Sequence, residues 1–207
     1  WEHGEAAATR RLDAFVAGPL ADYASDRDHQ GVDGVSMLSP HLRFGEIGPR
    51  QARAAALAAV GRGKAFETFE RELYWRDFCA NQLFHAEDLA RDNVQPRFDD
   101  FPWRDAPAEF AAWRRGQTGY PIVDAGMRQL WHTGWMHNRV RMIAASFLTK
   151  HLLIDWRVGE RWFWDTLVDA DEASNPANWQ WVAGSGADAA PYFRIFNPIT
   201  QGEKFDA

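Results

Sequence analysis

Cysteine is almost absent from this 207-residue chain, where Cys79 stands alone. One thiol excludes a disulfide within the chain and any CxxC metal site, and it fits a reducing, cytoplasmic compartment. Long apolar runs are missing too. The best stretch, Met142 to Ile154, is broken by Lys150 and His151. It falls short of the ~20 residues that span a bilayer, so no membrane partner is expected. The N-terminus lacks the pattern of a signal peptide. No strand–glycine loop–helix unit of the dinucleotide-binding kind is legible. Gly61-Arg-Gly-Lys64 resembles part of a phosphate loop, but the flanking glycine and the Ser/Thr after the lysine are missing. A helix-end turn accounts for it. Strand alternation, internal repeats and low-complexity tracts are absent as well.

A positive charge balance is also lacking. The net charge of −6 argues against a generic nucleic-acid binder. Its distribution is uneven. Residues 1–103 carry 12 basic and 17 acidic side chains, whereas residues 114–161 carry an excess of five positive charges. Those cations are Arg114, Arg115, Arg128, Arg139, Arg141, Lys150, Arg157 and Arg161, set against Asp124, Asp155 and Glu160. Arginine is the better fork for phosphate, although a solvated helix face explains the same run. What the chain has in abundance is tryptophan, 11 in all. Indoles in such number suit stacking on something flat, such as a sugar, a base or a conjugated cofactor.

The sequence predicts an all-α, multi-helical domain with long loops. Ser39-Pro40 signs a helix start, with Ser39 as N-cap and Pro40 at the first helical position. Gly48-Pro49 opens an alanine-rich helix over Arg50 to Val60, closed by Gly61. Ala65 to His85 spaces Phe66, Phe69, Leu73, Phe78 and Leu83 helically. Further helices are expected from Pro107 to Gly116, from Pro121 to Thr133, from His137 to Leu153 and from Gly159 to Asp169. Residues 86–106 and 171–202, rich in proline, glycine and aspartate, are expected to be loops.

Several clusters hold chemistry-bearing groups. Glu72, Trp75, Arg76 and Cys79 share one helical stripe, which a Glu–Arg pair on a wet surface explains equally well. Asn138 and Met142 lie one turn apart after Trp135-Met-His137. Asp169-Ala-Asp171 offers two carboxylates without further oxygen ligands, a poor metal site, and no metal is expected. Asn178-Trp-Gln-Trp181 places two indoles two apart in an irregular segment, so that they face different ways.

Longer motifs carry a resemblance. Thr118 to Leu130, Gly134 to Met142, Trp179 to Asn197 and Gly34 to Gly45 resemble the photolyase/cryptochrome family, most nearly its bacterial class I cyclobutane-dimer photolyases. Similar stretches run from about Tyr23 to Phe205. The resemblance implies that residues 1–207 form a helical domain binding FAD and DNA. An α/β domain carrying the antenna chromophore, and the extreme C-terminus, would lie outside them. It implies FAD contacts at Tyr23, Val35, Ser36, Met37, Leu38, Ser39, Phe69, Arg141, Asp169, Asp171 and Asn175, with Asn175 beside flavin N5. Ser36, Ser39 and the amides of the helix after Ser39 would suit a pyrophosphate. Val35 and Met37 depart from the threonine and arginine usual there.

The resemblance further implies an electron-transfer chain of Trp103, Trp156 and Trp179. It places Trp75 and Trp181 about a flipped pyrimidine dimer, with Glu72 hydrogen-bonding a dimer base. Arg27, Arg76, Asn138, Arg139, Met142 and Arg194 would contact DNA or the lesion edge. The implied activity is light-driven repair of cyclobutane pyrimidine dimers in damaged DNA by a monomer. The alternatives are a cryptochrome photoreceptor, a (6-4) photolyase, which carries histidines where Asn138 and Met142 stand, and a lesion binder without catalysis.

Overall fold

The computed structural model describes residues 1–188 and 195–205, and the helical expectation holds, with no strand among them. Residues 1–78 and 79–207 form two compact units.

The first unit contains α1 (Glu5–Ala17), α2 (Tyr23–Asp26), α3 (Ser39–Arg43), α4 (Pro49–Val60) and the first two thirds of α5 (Lys64–His85). Phe66, Phe69 and Leu73 repeat at helical spacing along α5 and enter a core with Leu12, Phe15, Leu20, Tyr23 and Leu38. Phe15, Tyr23 and Phe69 form a ring triangle with centroids 5.1–5.7 Å apart. α4 meets α1 and buries Ala52 and Ala56, one turn apart, so the two backbones come close. At the head of α4 the Gly48 N–H donates to Gln51 Oε1 at 2.7 Å, and Gly61, at φ 67°, ends the helix.

The second unit contains α6 (Pro107–Arg114), α7 (Pro121–Thr133), α8 (Asn138–Ser146), α9 (Trp156–Thr166), α10 (Ser174–Ala183) and α11 (Pro198–Phe205). Its core gathers Trp113, Met127, Leu130, Ile143, Leu148, Trp156, Phe163 and Trp179. α9 and α10 pack together, and Gly159 is the reason they can. A Cβ there would stand 2.3 Å from Trp179 Cη2 and 2.6 Å from Leu148 Cδ2.

Four expectations need correction. Ser39 is the first residue of α3, not its cap. The helix expected from Gly159 begins at Trp156, because the Asp155 carboxylate takes the Arg157 N–H at 2.9 Å. The helix expected from His137 to Leu153 runs only to Ser146 and continues as a wider π turn over Phe147–His151. Residues 171–202 are not all loop, since they hold α10 and the start of α11. Pro176 falls in the first turn of α10, where no backbone donor is lost, and Gly184, at φ 100°, closes it. Proline and glycine here mark helix ends, not a loop. α1 and α2 were not among the expected helices, although Ala8, Leu12 and Phe15 repeat at helical spacing along α1.

The expected loop 86–106 contains only the short 3-10 turn Pro96–Phe98, yet it is fixed in place. Fully buried Gln180 donates to the Leu89 and Asp92 carbonyls, both at 2.9 Å, and accepts from the Val94 N–H at 2.9 Å. All its polar atoms face loop backbone. The Cys79 side chain is buried beside Leu89, Ala173 and Ala177, and the Asn178 amide reaches its Sγ at 3.8 Å.

Substituting Gly159→Ala is expected to destabilise the protein by about 1–3 kcal/mol, the usual cost of overpacking a tight core. Urea denaturation followed by circular dichroism measures it. A variant as stable as the parent would remove the close approach of α9 to Trp179.

Candidate functional site

In the second unit α8, α9 and α10 bring Arg141, Asp169, Asp171 and Asn175 to defined partners. Arg141 makes a two-pronged pair with Asp169, at 3.0 and 2.8 Å, while its Nε donates to the Met136 carbonyl at 2.7 Å. A forked pair of this kind fixes the guanidinium plane. Asp169 is buried, so the pair holds its charge away from bulk water. Asp171 has a different task. Its carboxylate receives the Ala173 and Ser174 N–H groups at 3.0 and 2.7 Å and starts α10. The two acids of Asp169-Ala-Asp171 therefore serve an arginine and a helix end.

Asn175 is the most constrained polar side chain of the set. Its amide nitrogen donates to the Glu160 carbonyl at 3.1 Å and to Glu160 Oε1 at 2.9 Å. Both amide hydrogens are spent there. Its oxygen has no donor among the described residues, so its capacity to accept a hydrogen bond is open. Burial raises the Glu160 carboxyl above the ordinary range, and the Asn175 hydrogen bond offsets part of that rise. Glu160 was missed in the sequence, although a signal exists. Trp156, Gly159, Glu160 and Phe163 are spaced 3, 4 and 7 along the buried stripe of α9, where a carboxylate is out of place.

The three tryptophans expected to carry electrons share one apolar cluster. Trp156 and Trp179 lie inside it and Trp103, partly exposed, packs against its edge. The Trp156 indole N–H donates to Asn93 Oδ1 at 3.1 Å. Trp179 touches Phe163 edge-on at 4.9 Å. An unforeseen aromatic, Trp113, stacks on Phe163 at 6.0 Å and anchors its N–H on the Ala144 carbonyl at 3.0 Å.

Asn138 opens α8, and its Nδ2 reaches Met142 Sδ at 3.8 Å, as one-turn spacing requires. His137 is buried, and its Nδ1 accepts the Arg139 N–H at 3.2 Å. Arg139 lies over the Phe205 ring at 4.8 Å. Trp181 is half-buried against the main cluster. Two residues from Trp179 on a helix, it points roughly 200° away. The two indoles thus diverge as expected, on a helix instead of an irregular segment. Arg194 lies outside the described residues. The long motif from Thr118 has a structural centre in buried Asp124. It accepts from the Thr118 N–H and hydroxyl and from the Gly119 N–H, at 2.6–2.9 Å.

In the first unit Tyr23 and Phe69 belong to the core. Burial pushes the Tyr23 phenol up to about 12. Leu38 is buried and Val35, Ser36, Met37 and Ser39 are half-buried. The Arg11 side chain donates to the Ser36 carbonyl at 3.0 Å, and Ser36 Oγ accepts the Leu38 N–H at 3.3 Å. Met37 has φ 50°, a left-handed conformation that a non-glycine residue adopts only when its surroundings impose it. Glu72 does not pair with Arg76 four residues on. It is engaged by Arg27, whose guanidinium also lies 5.6 Å above the Tyr23 ring. Arg76 reaches instead for the Leu42 carbonyl at 3.4 Å. Trp75 meets Phe78 edge-on at 5.4 Å. Among the described residues no group of acids, histidines and cysteine is arranged to hold a metal, and no helix is long and apolar enough to cross a membrane.

Residues 69–207 match the family described as the FAD binding domain of DNA photolyase. The deoxyribodipyrimidine photo-lyase of Agrobacterium fabrum is 59% identical over 208 residues, covering 100% of this chain and 43% of the relative. The chain thus spans less than half the length of that curated relative. A bacterial class III photolyase structure from Agrobacterium tumefaciens superposes with a TM-score of 0.95 at 59% identity, covering 100% of this chain and 43% of that one. Its class differs from the class I branch suggested by the motifs. A cryptochrome from Synechocystis superposes with a TM-score of 0.91 at 38% identity, covering 100% and 44%.

The raised Glu160 pKa sets a pH dependence. An acid whose pKa is higher in the fold stabilises below its unfolded value, and that contribution is lost as pH rises through the folded value. Glu160→Gln keeps an acceptor for Asn175 and removes the buried charge. The variant is expected to gain stability over the parent progressively as pH rises above about 4, the ordinary carboxylate range. Urea midpoints at matched flavin content measure it, and a pH-independent difference would contradict the buried acid.

Proposed function

Because the chain belongs to the family of FAD-binding domains of DNA photolyases, we propose that it is the cofactor- and lesion-binding part of a light-driven enzyme that splits cyclobutane pyrimidine dimers in DNA. The observation that carries this reading is Asn175, held by both amide hydrogens on buried Glu160, with its oxygen left without a donor. An acceptor fixed at a nearly buried position suits a ring N–H of a reduced flavin. Arg141, clamped on Asp169, would hold its guanidinium plane beside the ring and balance negative charge there. In the first unit, Tyr23, Val35 to Ser39 and Phe69 are assigned to FAD by the family motifs. When bound and reduced, FAD supplies the excited electron, and the protein's share is orientation and electrostatics.

Trp103, Trp156 and Trp179 would relay electrons inward, from the edge of the apolar cluster to its centre. Trp75 and Trp181 are each assigned to stacking on an extruded dimer, which is cheaper to flip than a paired base. Glu72, oriented by Arg27, would accept a hydrogen bond from a dimer base. Arg76, Arg139 and Arg194 are assigned to phosphates or the lesion edge. Asn138 and Met142 face one another one turn apart, and neither is a general acid. Repair of a (6-4) product needs a proton as well as an electron, for which histidine near neutral pH is suited. His137 is buried with Nδ1 committed to the Arg139 N–H, which supports cyclobutane dimers as the substrate.

The test is blue-light illumination of the full-length, FAD-loaded protein with an oligonucleotide carrying either lesion. Loss of the cyclobutane dimer in light, none in the dark, and an intact (6-4) product are expected. Flavin photoreduction without dimer loss would give the photoreceptor reading instead. Trp156→Phe is expected to abolish photoreduction of oxidised FAD while leaving repair intact once the flavin is chemically reduced. Unimpaired photoreduction in that variant would remove Trp156 from the relay.

A further inference from the structure

The positive run of residues 114–161 is not one uniform surface. Arg141 is clamped by Asp169, Arg157 by Asp155, and the Lys150 amine by the Ala183 carbonyl. Arg114, Arg115 and Arg128 are different. They line a half-open groove of about 580 Å³ with Trp131, His132 and Trp162, and no carboxylate lines it. Among the described residues none of the three pairs with an acid.

Two of these guanidiniums are nevertheless held in place. Arg114 lies 5.7 Å above Phe110 and 5.5 Å above Trp162. Arg128 donates to the Gly116 carbonyl at 2.6 Å. Gly116 sits at φ 63°, and a Cβ there would stand 2.9 Å from Arg128 Cγ. The turn is shaped to let the Arg128 stem lie against it. Three like charges gathered without a counter-ion repel one another, and an anion in the groove would relieve that. Arginine forks match phosphate oxygens in particular.

The aromatic wall is equally specific. Trp131 stacks on Trp162 at 5.8 Å with their planes 7° apart, so one indole face is backed and rigid. Trp131 is nonetheless 66% exposed, leaving its other face open. A rigid, open indole face beside phosphate-binding forks is the arrangement that takes a base and its phosphates together. The volume lies in the range of small-ligand sites, roughly 300–1,000 Å³.

We infer that this groove is a second ligand site, for a nucleoside polyphosphate whose base stacks on Trp131 and whose phosphates are held by Arg114, Arg115 and Arg128. It is built by α6, α7 and α9 from residues assigned neither to FAD nor to the lesion, and it does not depend on either assignment.

The test titrates the full-length, FAD-loaded protein with ATP by calorimetry, so that the flavin site is already filled. Saturable 1:1 binding is expected, with adenosine and inorganic triphosphate each binding more weakly. Trp131→Ala is expected to weaken ATP about five- to 150-fold, the loss of one base–indole stack, and Trp131→Phe to retain most of the affinity. Arg115→Gln is expected to weaken ATP and triphosphate but not adenosine. Absence of ATP binding, or equal affinity in parent and Trp131→Ala, would overturn the site. So would a Trp131→Ala loss seen for an oligothymidylate but not for ATP, because the groove would then be a track for a DNA strand.

Discussion

The close approach of α9 to α10 at Gly159 is the constraint on which the second unit depends. A hydrogen in place of a methyl group lets the Trp179 ring lie against the helix backbone. The next residue along α9 is Glu160, and the same approach brings its carboxylate and its carbonyl to Asn175. One missing Cβ thus seats Trp179, proposed as the innermost tryptophan of a relay, and lets a buried acid orient the Asn175 amide. Trp156 and Phe163, on the same stripe of α9, complete the aromatic core around them.

Buried and half-buried polar side chains organise what the helices do not. Asp124 closes the Thr118–Gly119 turn, Asp171 starts α10, and Gln180 ties three backbone groups of residues 89–94. Asn93, in that tied segment, receives the Trp156 N–H. Their partners are mostly backbone groups, with the Thr118 hydroxyl, the Asp99 carboxylate and the Trp156 indole added, as burial of polar atoms requires. The long segment between α5 and α6 is therefore a fixed part of the core's surroundings.

Charge is arranged by partner more than by total. The net −6 spreads over a chain whose arginines are placed individually. Arg141 is forked onto Asp169, and Arg27 makes a single contact with Glu72. Arg139 lies over Phe205. The groove arginines stand apart, because their supports are rings and a carbonyl. A forked pair fixes the guanidinium plane, whereas an unpaired fork on a rigid support is available to an anion.

Local chemistry determined much of this protein. Proline at first helical turns, glycine at helix ends and the spacing of Phe66, Phe69 and Leu73 made α4 to α7 legible, and the motifs around Thr118, Gly134 and Trp179 carried the family. The one-turn contact of Asn138 with Met142 was readable from spacing alone. Tertiary structure decided the rest. Pro176 and Gly184 read as loop residues until packing against α9 made them the two ends of α10. Glu72 had an arginine four residues away and took Arg27 instead, because the fold brings a sequence-distant cation to it. Glu160 reads as a surface carboxylate until its stripe is buried. Groups whose partners lie a turn or a cap away are written in the chain. Groups whose partners come from another helix acquire their role only when that helix arrives.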